Sequence, residues 1–180
     1  MNAGGTPPIP RREPAASNPL PYSDLKPVGA ADFYFAINAT FRFVESTFGR
    51  DGLREYWRQL GETYYTPVST AWKNGGLPAV VGYWRAFFHA EPEADVEITA
   101  TEQDVMIEVR VCPAIRHLRA GGRKIVPCFC EHCYHVSEAM AAPAGMTVRV
   151  EGGNGSCRQS FLLREAASAP QDLGRIKEAA

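Results

Sequence analysis

The sequence predicts an α+β fold, with a helical N-terminal half packed on a small antiparallel sheet built from two hairpins joined by a short helix. Apolar side chains recur at helical spacing across residues 33–88. They alternate with polar side chains across 95–111 and again across 147–163, which is the period of half-buried strands. The segment 133–142, closed by Pro143, predicts the short helix between the two hairpins.

Three apolar stripes predict three helices in the first half. The first stripe ends at Gly49, a helix stop signal, and the second ends before Pro67. Pro78 suits the first turn of the third helix, and Pro92 lies just past its end. Side chains of such stripes are expected in the core, although some aromatics could instead line an apolar ligand pocket. The stripe residues are Phe33, Ile37, Phe41, Val44 and Phe48, then Leu53, Tyr56, Trp57, Leu60 and Tyr64, then Leu77, Val80, Val81, Trp84, Phe87 and Phe88.

Each hairpin has a recognisable turn. Polar residues 102–104 connect the first pair of strands, and the Gly-rich segment 152–156 connects the second pair. Strict alternation indicates that one face of the sheet is buried. Cys157 shares strand parity with Gln159 and Phe161, so we expect it either in the core or at the functional site.

The chain is expected to form one domain, residues 29–165. Residues 1–28 contain half of the 14 prolines and little apolar mass, which predicts a disordered Pro-rich leader. Residues 166–180 are rich in Ala and polar side chains, which predicts a flexible tail or a frayed helix.

Charge and hydropathy exclude several classes of partner. The net charge is −1 and no dense basic face is evident, so nucleic acid is not expected. No apolar run approaches the roughly 20 residues that cross a bilayer, and no secretory signal is evident. We therefore expect a cytoplasmic protein, not bound to a membrane, whose partner is a small-molecule substrate or ligand; its oligomeric state stays open.

The segment 128–135, Cys-Phe-Cys-Glu-His-Cys-Tyr-His, holds three of the five cysteines and two of the four histidines. Thiolate and imidazole are preferred ligands of zinc and of softer transition metals, and also the commonest nucleophile and base. Cys130 and Cys133 have the C-x-x-C spacing of a metal knuckle. In a reducing compartment such a cluster serves metal binding or catalysis more often than cross-linking.

Several metal arrangements are compatible with this spacing, and zinc is the expected ion. Four sulfurs would close a structural site, whereas three protein ligands and a water would leave a catalytic position open. Without a metal, the cysteines would be buried thiols, or one of them would be a reactive nucleophile. The candidate ligands are Cys112, Cys128, Cys130, Cys133 and His132, with His135 as a further donor.

One face of the short helix predicts proton-transfer chemistry. If that helix begins a little early, Glu131, His135 and Glu138 lie at positions i, i+4 and i+7. A carboxylate beside an imidazole raises its basicity and fixes its tautomer, as a general base requires. The alternative for the two glutamates is a solvated polar helix face.

Five successive motifs in the second half carry a family resemblance. They are Cys112-Pro113 after a strand, the segment 128–135, the small-residue helix 136–141, the strand 146–151 and the closing segment Gly155 to Phe161. Together, residues 105–163 resemble the L-2-amino-thiazoline-4-carboxylic acid hydrolase family and the wider 4-vinyl reductase group. The resemblance implies an α+β domain with a pocket between helices and sheet.

The hydrolase resemblance implies opening of a five-membered cyclic amidine, a step towards L-cysteine. On this hypothesis a metal held by Cys128, Cys130 and Cys133 polarises water, and His135 moves protons with support from Glu138. In a metal-free version, Cys130 or Cys133 is the nucleophile and His135 the base.

Two further expectations concern the substrate and the competing function. Arg116 or Arg123 is expected to pair with a substrate carboxylate, since the guanidinium group suits bidentate recognition. The vinyl reductase resemblance implies instead a small-molecule or metal-binding module without catalysis.

Overall fold

The chain is organised around one five-stranded sheet. A computed structural model describes residues 31–91, 93–167 and 169–180. The strands in chain order are β1 Asp95–Ala100, β2 Asp104–Val111, β3 Met146–Gly153, β4 Ser156–Leu163 and β5 Ile176–Lys177. They lie in the order β1-β2-β4-β3-β5, and every neighbouring pair is antiparallel except β3 and β5.

The helices complete the predicted α+β fold, which is confirmed. They are α1 Phe33–Gln59, α2 Thr66–Ala90, α3 Pro113–Ala120 and α4 Glu131–Ala141. The two predicted hairpins are β1–β2 and β3–β4, and α4 lies between them, beginning slightly earlier than the sequence indicated. The short helix α3 was not predicted; Pro113 occupies its first turn, where a missing N–H costs nothing.

Glycines divide the N-terminal helices. Gly49 interrupts α1 with a φ of +75°, and Gly76 interrupts α2 with a φ of +60°, just before Pro78. The predicted stop at Gly49 is therefore a kink, and Pro67 lies in the first turn of α2 rather than beyond a helix. A π-helical segment, Leu60–Tyr64, leads from α1 towards α2. No helix within the described ranges is long and apolar enough to cross a membrane.

The apolar stripes are only partly buried. Phe33, Phe48 and Tyr64 were expected in the core, yet their exposed fractions are 66%, 67% and 72%. Each lies where a stripe leaves the core: at the first residue of α1, beside the Gly49 kink, and at the end of the π-helical segment. Exposure at these positions is therefore a consequence of where the helical segments end or bend.

The core has two parts. Between the inner face of the sheet and helices α2 and α4, Val105, Ile107 and Phe161 are fully buried, with Trp72 packed edge-on against Phe161. The second part joins α1 and α3 to the 3₁₀ turn Pro127–Cys130 that precedes α4. Its largest buried members are Leu53, Trp57, Ile115, Leu118 and Phe129.

The C-terminal segment, expected to be a flexible tail or a frayed helix, contains the two-residue strand β5. β5 pairs in parallel with Gly152 and Gly153, and the Ala179 N–H donates to the Pro127 carbonyl at 2.8 Å. Glycine is needed for this approach, since a Cβ at Gly153 would lie 2.5 Å from the Lys177 oxygen. The predicted leader, residues 1–28, and Pro92 lie outside the described residues.

Replacement of Gly61 by Ala should destabilise the fold. Gly61 is buried in the π-helical segment, and a Cβ there would lie 2.6 Å from both the Val136 oxygen and the Ala139 Cβ of α4. Relief of that clash requires backbone movement, so we expect the free energy of unfolding to fall by roughly 1–3 kcal/mol in urea denaturation. Gly82→Ala is the matched control.

Gly82 is an exposed helical residue with nothing within 4 Å of an added Cβ. Its replacement should be neutral or should stabilise the protein by up to about 1 kcal/mol. Equal stability of the two variants would show that α4 does not pack on Gly61 as described.

Candidate functional site

A cavity lies between α2, α4 and the inner face of the sheet. Its volume is about 150 Å³, and most of its wall is apolar or aromatic. The aromatic lining comes from Tyr34, Tyr65, Tyr83, Trp84, Phe87 and Phe88. Three stripe aromatics of α2, Trp84, Phe87 and Phe88, thus line a cavity instead of filling the core, as the alternative prediction for the stripes allowed.

Three thiols also line this cavity. Cys112 precedes α3, Cys133 lies in the first turn of α4, and Cys157 projects from β4. Cys130 is not among the described lining residues, and its sulfur accepts the Asn154 N–H at 3.3 Å. Cys128 is directed elsewhere, because its thiol donates to the Glu45 carboxylate at 3.5 Å. All five cysteines are free thiols.

Cys133 has an imidazole beside it, that of His132. The Cys133 sulfur lies 3.7 Å from Nε2 and 4.0 Å from Nδ1 of His132, and both residues line the cavity. Nδ1 is 2.6 Å from the Phe129 carbonyl oxygen. Because a carbonyl oxygen only accepts, Nδ1 must carry a proton, which leaves Nε2 of the neutral ring as the basic nitrogen.

Burial keeps both members of this pair uncharged. It raises the pKa of the Cys133 thiol to about 12 and lowers the pKa of His132 below its usual value. The neighbouring thiols behave alike: burial raises the pKa of Cys112 to about 11 and that of Cys130 to about 12. A reactive thiolate would therefore have to form by proton transfer to His132 during attack, rather than exist beforehand.

The start of α4 is held by one buried carboxylate. Glu131 is 3% exposed, and it accepts from Nη2 of Arg50 at 2.5 Å and from Nε of Arg54 at 2.8 Å. Burial alone would raise its pKa, but contacts with His135 and the two guanidinium groups outweigh burial and hold that pKa well below its usual range. Because Glu131 directly precedes His132 and Cys133, this clamp fixes where the pair points.

The other predicted proton-transfer residues lie away from the cavity. His135 stacks on Trp57, and its Nε2 is 3.8 Å from Glu131, too far for a hydrogen bond. Glu138 accepts from the Thr147 hydroxyl at 2.8 Å and the Val148 N–H at 2.7 Å, which fastens α4 to β3. Neither is among the described residues that line the cavity, so the base beside Cys133 is His132 rather than His135.

The predicted substrate-binding arginines also have other partners. Arg116 pairs with Glu93 at 2.9 Å, and the guanidinium of Arg123 lies 4.4 Å from the centre of the Phe35 ring. Neither is among the described lining residues, none of which is Lys or Arg. The cavity thus provides no guanidinium group for a carboxylate among its described residues.

The predicted zinc ligands do not form a coordination site in the described part of the chain. There, no group of three or more His, Cys, Asp or Glu side chains is arranged to hold a metal ion. The sulfur of Cys128 points to Glu45, away from the thiols of the cavity. Zinc binding stays a prediction.

Two site features were missed or undervalued in the sequence. Gln159 of β4 is 4% exposed and lines the cavity, and its Oε1 has no hydrogen-bond partner among the described residues. The alternation of side chains along the strand placed Gln159 on the same sheet face as Cys157, and this pattern could have predicted its position at the site. His132 was expected as a metal ligand only, and nothing in the sequence indicated that its ring lies beside the thiol of the adjacent Cys133.

Comparisons of the chain with protein-family models, with curated proteins and with solved structures gave no match. The family resemblance therefore stays a prediction.

Glu131→Gln should destabilise the protein, since it leaves two guanidinium groups facing a neutral, buried amide. We expect a loss of roughly 2–4 kcal/mol in the free energy of unfolding near pH 7. A carboxyl group whose pKa is lowered by folding stabilises the folded state at pH values above its unfolded pKa of about 4.3. This stabilisation is lost as the pH falls through the pKa of the folded state. The difference between the two proteins should therefore shrink in acid.

The control is Glu55→Gln, which removes an exposed partner of Arg58 and should change stability little. A Glu131→Gln variant as stable as Glu55→Gln would contradict the clamp.

Cys133 should alkylate slowly in the folded protein. The pKa of the Cys133 thiol is raised to about 12, so at pH 8 the thiol should react with iodoacetamide about 100-fold or more slowly than free cysteine. The rate of this reaction should rise steadily up to pH 11. Peptide mass spectrometry gives the rate at this residue. Reaction at pH 7 as fast as that of free cysteine would reveal a thiolate–imidazolium pair and contradict the neutral pair.

Proposed function

We propose that the protein is a hydrolase that opens the C–N bond of a small cyclic amide or amidine, with Cys133 as nucleophile and His132 as general base. The observation that carries this proposal is the 3.7 Å approach of the Cys133 sulfur to Nε2 of His132 at the wall of an apolar cavity. Nucleophile, base and an orienting group, the Phe129 carbonyl, are the parts that covalent catalysis of this kind requires.

The reaction is a net addition of water in two stages. Nε2 of His132 takes the thiol proton as the Cys133 sulfur attacks the electrophilic carbon of the ring. The C–N bond then breaks and the leaving nitrogen takes that proton from His132, giving an acyl or imidoyl thioester. Water attacks the thioester carbon with His132 again accepting a proton, and the sulfur leaves and is reprotonated.

The cavity suits a small ring. A volume of about 150 Å³ is below the range of pockets that hold drug-sized ligands, so a single five- or six-membered ring is the appropriate size. Its aromatic walls exclude water from the thiol, which prevents charge from forming until a substrate is present. This agrees with the neutral resting state of Cys133 and His132.

A binding module without catalysis is the second candidate. The observation that favours it is the raised pKa of the cavity thiols, since a thiol that stays protonated is a poor nucleophile. On this alternative the same cavity holds a small ligand, and Cys133 only contributes to its wall. The two candidates differ in whether the ligand is converted.

Turnover by the purified protein distinguishes them. Small lactams and 2-aminothiazoline-4-carboxylate would be screened by mass spectrometry for a product heavier by one water. Cys133→Ser and His132→Asn should each lower the rate by about 10²-fold or more, and Asn can still donate to the Phe129 carbonyl. Cys128→Ser, which alters a thiol directed at Glu45, should leave the rate unchanged.

Full activity of the Cys133→Ser variant would show that Cys133 is not the nucleophile. Ligand binding without conversion of any small cyclic amide or amidine would favour the binding module.

A further inference from the structure

We propose that the cavity selects an uncharged cyclic amide over both carboxylates and protonated amidines, and that Gln159 recognises the amide N–H. This inference deepens the proposed function and rests on it for the reaction, but it concerns binding and can be tested without turnover.

Gln159 carries the polar part of the argument. Its side chain is almost fully buried on the inner face of β4, and its Nε2 lies 3.8 Å from the Cys157 sulfur. Its Oε1 has no hydrogen-bond partner among the described residues, although buried polar atoms are nearly always satisfied. An amide oxygen can only accept, so the partner it lacks is a donor. A ligand N–H supplies that donor, and a carboxylate does not.

Trp84 also lines the cavity and carries a group of the opposite polarity. Its indole Nε1–H, a donor only, has no partner within the described part of the chain; the same holds for the N–H groups of Trp57 and Trp72, but neither of these is among the described lining residues. One unsatisfied acceptor and one unsatisfied donor match a ligand that presents both an N–H and a C=O. A cyclic amide carries these two groups on adjacent atoms of one ring.

The surroundings disfavour charge of either sign. No described lining residue is Lys or Arg, and the nearby Glu91 carboxylate is occupied by the Tyr34 hydroxyl. The described lining also holds no Asp or Glu and is mostly apolar or aromatic, and such surroundings penalise an unpaired cation and an unpaired anion alike. A neutral ligand avoids both penalties.

This selectivity differs from what the sequence resemblance implies. A thiazoline carboxylate requires a cationic partner, yet Arg116 and Arg123 contact Glu93 and Phe35 instead. The substrate class that fits the described cavity is therefore a neutral lactam-like ring rather than an amino-acid-derived carboxylate.

Protection of Cys133 from iodoacetamide at pH 9 tests the inference in the unaltered protein. Four probes of similar shape are compared: benzamide, acetophenone, benzoate and benzamidine. Alkylation at Cys133 is measured by peptide mass spectrometry, with the thiol of Cys128, which lies beside Glu45, as internal reference. We expect benzamide to protect at about tenfold lower concentration than acetophenone, the usual value of one added hydrogen bond. Benzoate and benzamidine should not protect.

Gln159→Leu should abolish the tenfold preference for benzamide over acetophenone while keeping the protection that both share. Gln103→Leu, at the exposed turn between β1 and β2, is the matched control and should keep the preference. Protection by benzoate or benzamidine equal to that by benzamide would overturn the inference, as would an unchanged preference in Gln159→Leu. The protection experiment measures no turnover. Absence of hydrolysis would therefore leave this selectivity intact, and loss of the selectivity would leave the proposed hydrolysis intact.

Discussion

The burial of one carboxylate, Glu131, is the constraint on which the functional region depends. A buried charge without partners is very unfavourable, and Arg50 and Arg54 supply the partners of this carboxylate at the first residue of α4. Both arginines follow the kink at Gly49, four residues apart on one face of α1. The next two residues of α4 are His132 and Cys133. The same ion-pair cluster therefore joins α1 to α4 and directs the imidazole and thiol towards the cavity.

The chemistry available at the cavity follows from its dryness. Burial favours the uncharged forms of Cys133 and His132, and the hydrogen bond from Nδ1 to the Phe129 carbonyl selects the tautomer with a basic Nε2. On the proposed function, such a pair would transfer its proton only when an electrophile arrives, in contrast to cysteine sites that hold a preformed thiolate. On the proposed selectivity, the unsatisfied Oε1 of Gln159 would orient a neutral ligand against the same thiol. Both proposals rest on one physical property of the cavity, the exclusion of charge and water.

The sequence predicted the features that depend on local periodicity. Alternation gave both hairpins and the buried face that carries Cys157, and helical spacing gave the main helices. It could not predict contacts between distant residues, such as that of Arg54 with Glu131, which are 77 positions apart. Nor could periodicity fix the first residue of α4 to one position, and the contact between the adjacent side chains of His132 and Cys133 was not predicted. The C-terminal strand was missed because its pairing relies on the absence of side chains at Gly152 and Gly153.

The protonation state of His132 is the most direct test of this account. Long-range ¹H–¹⁵N NMR of the folded protein at pH 7 distinguishes the two neutral tautomers from the imidazolium ion. We predict a neutral ring with the proton on Nδ1 and an unprotonated Nε2, the ring nitrogen nearer to the Cys133 sulfur. A proton on Nε2, or a charged ring at pH 7, would contradict the neutral pair on which the proposed chemistry depends.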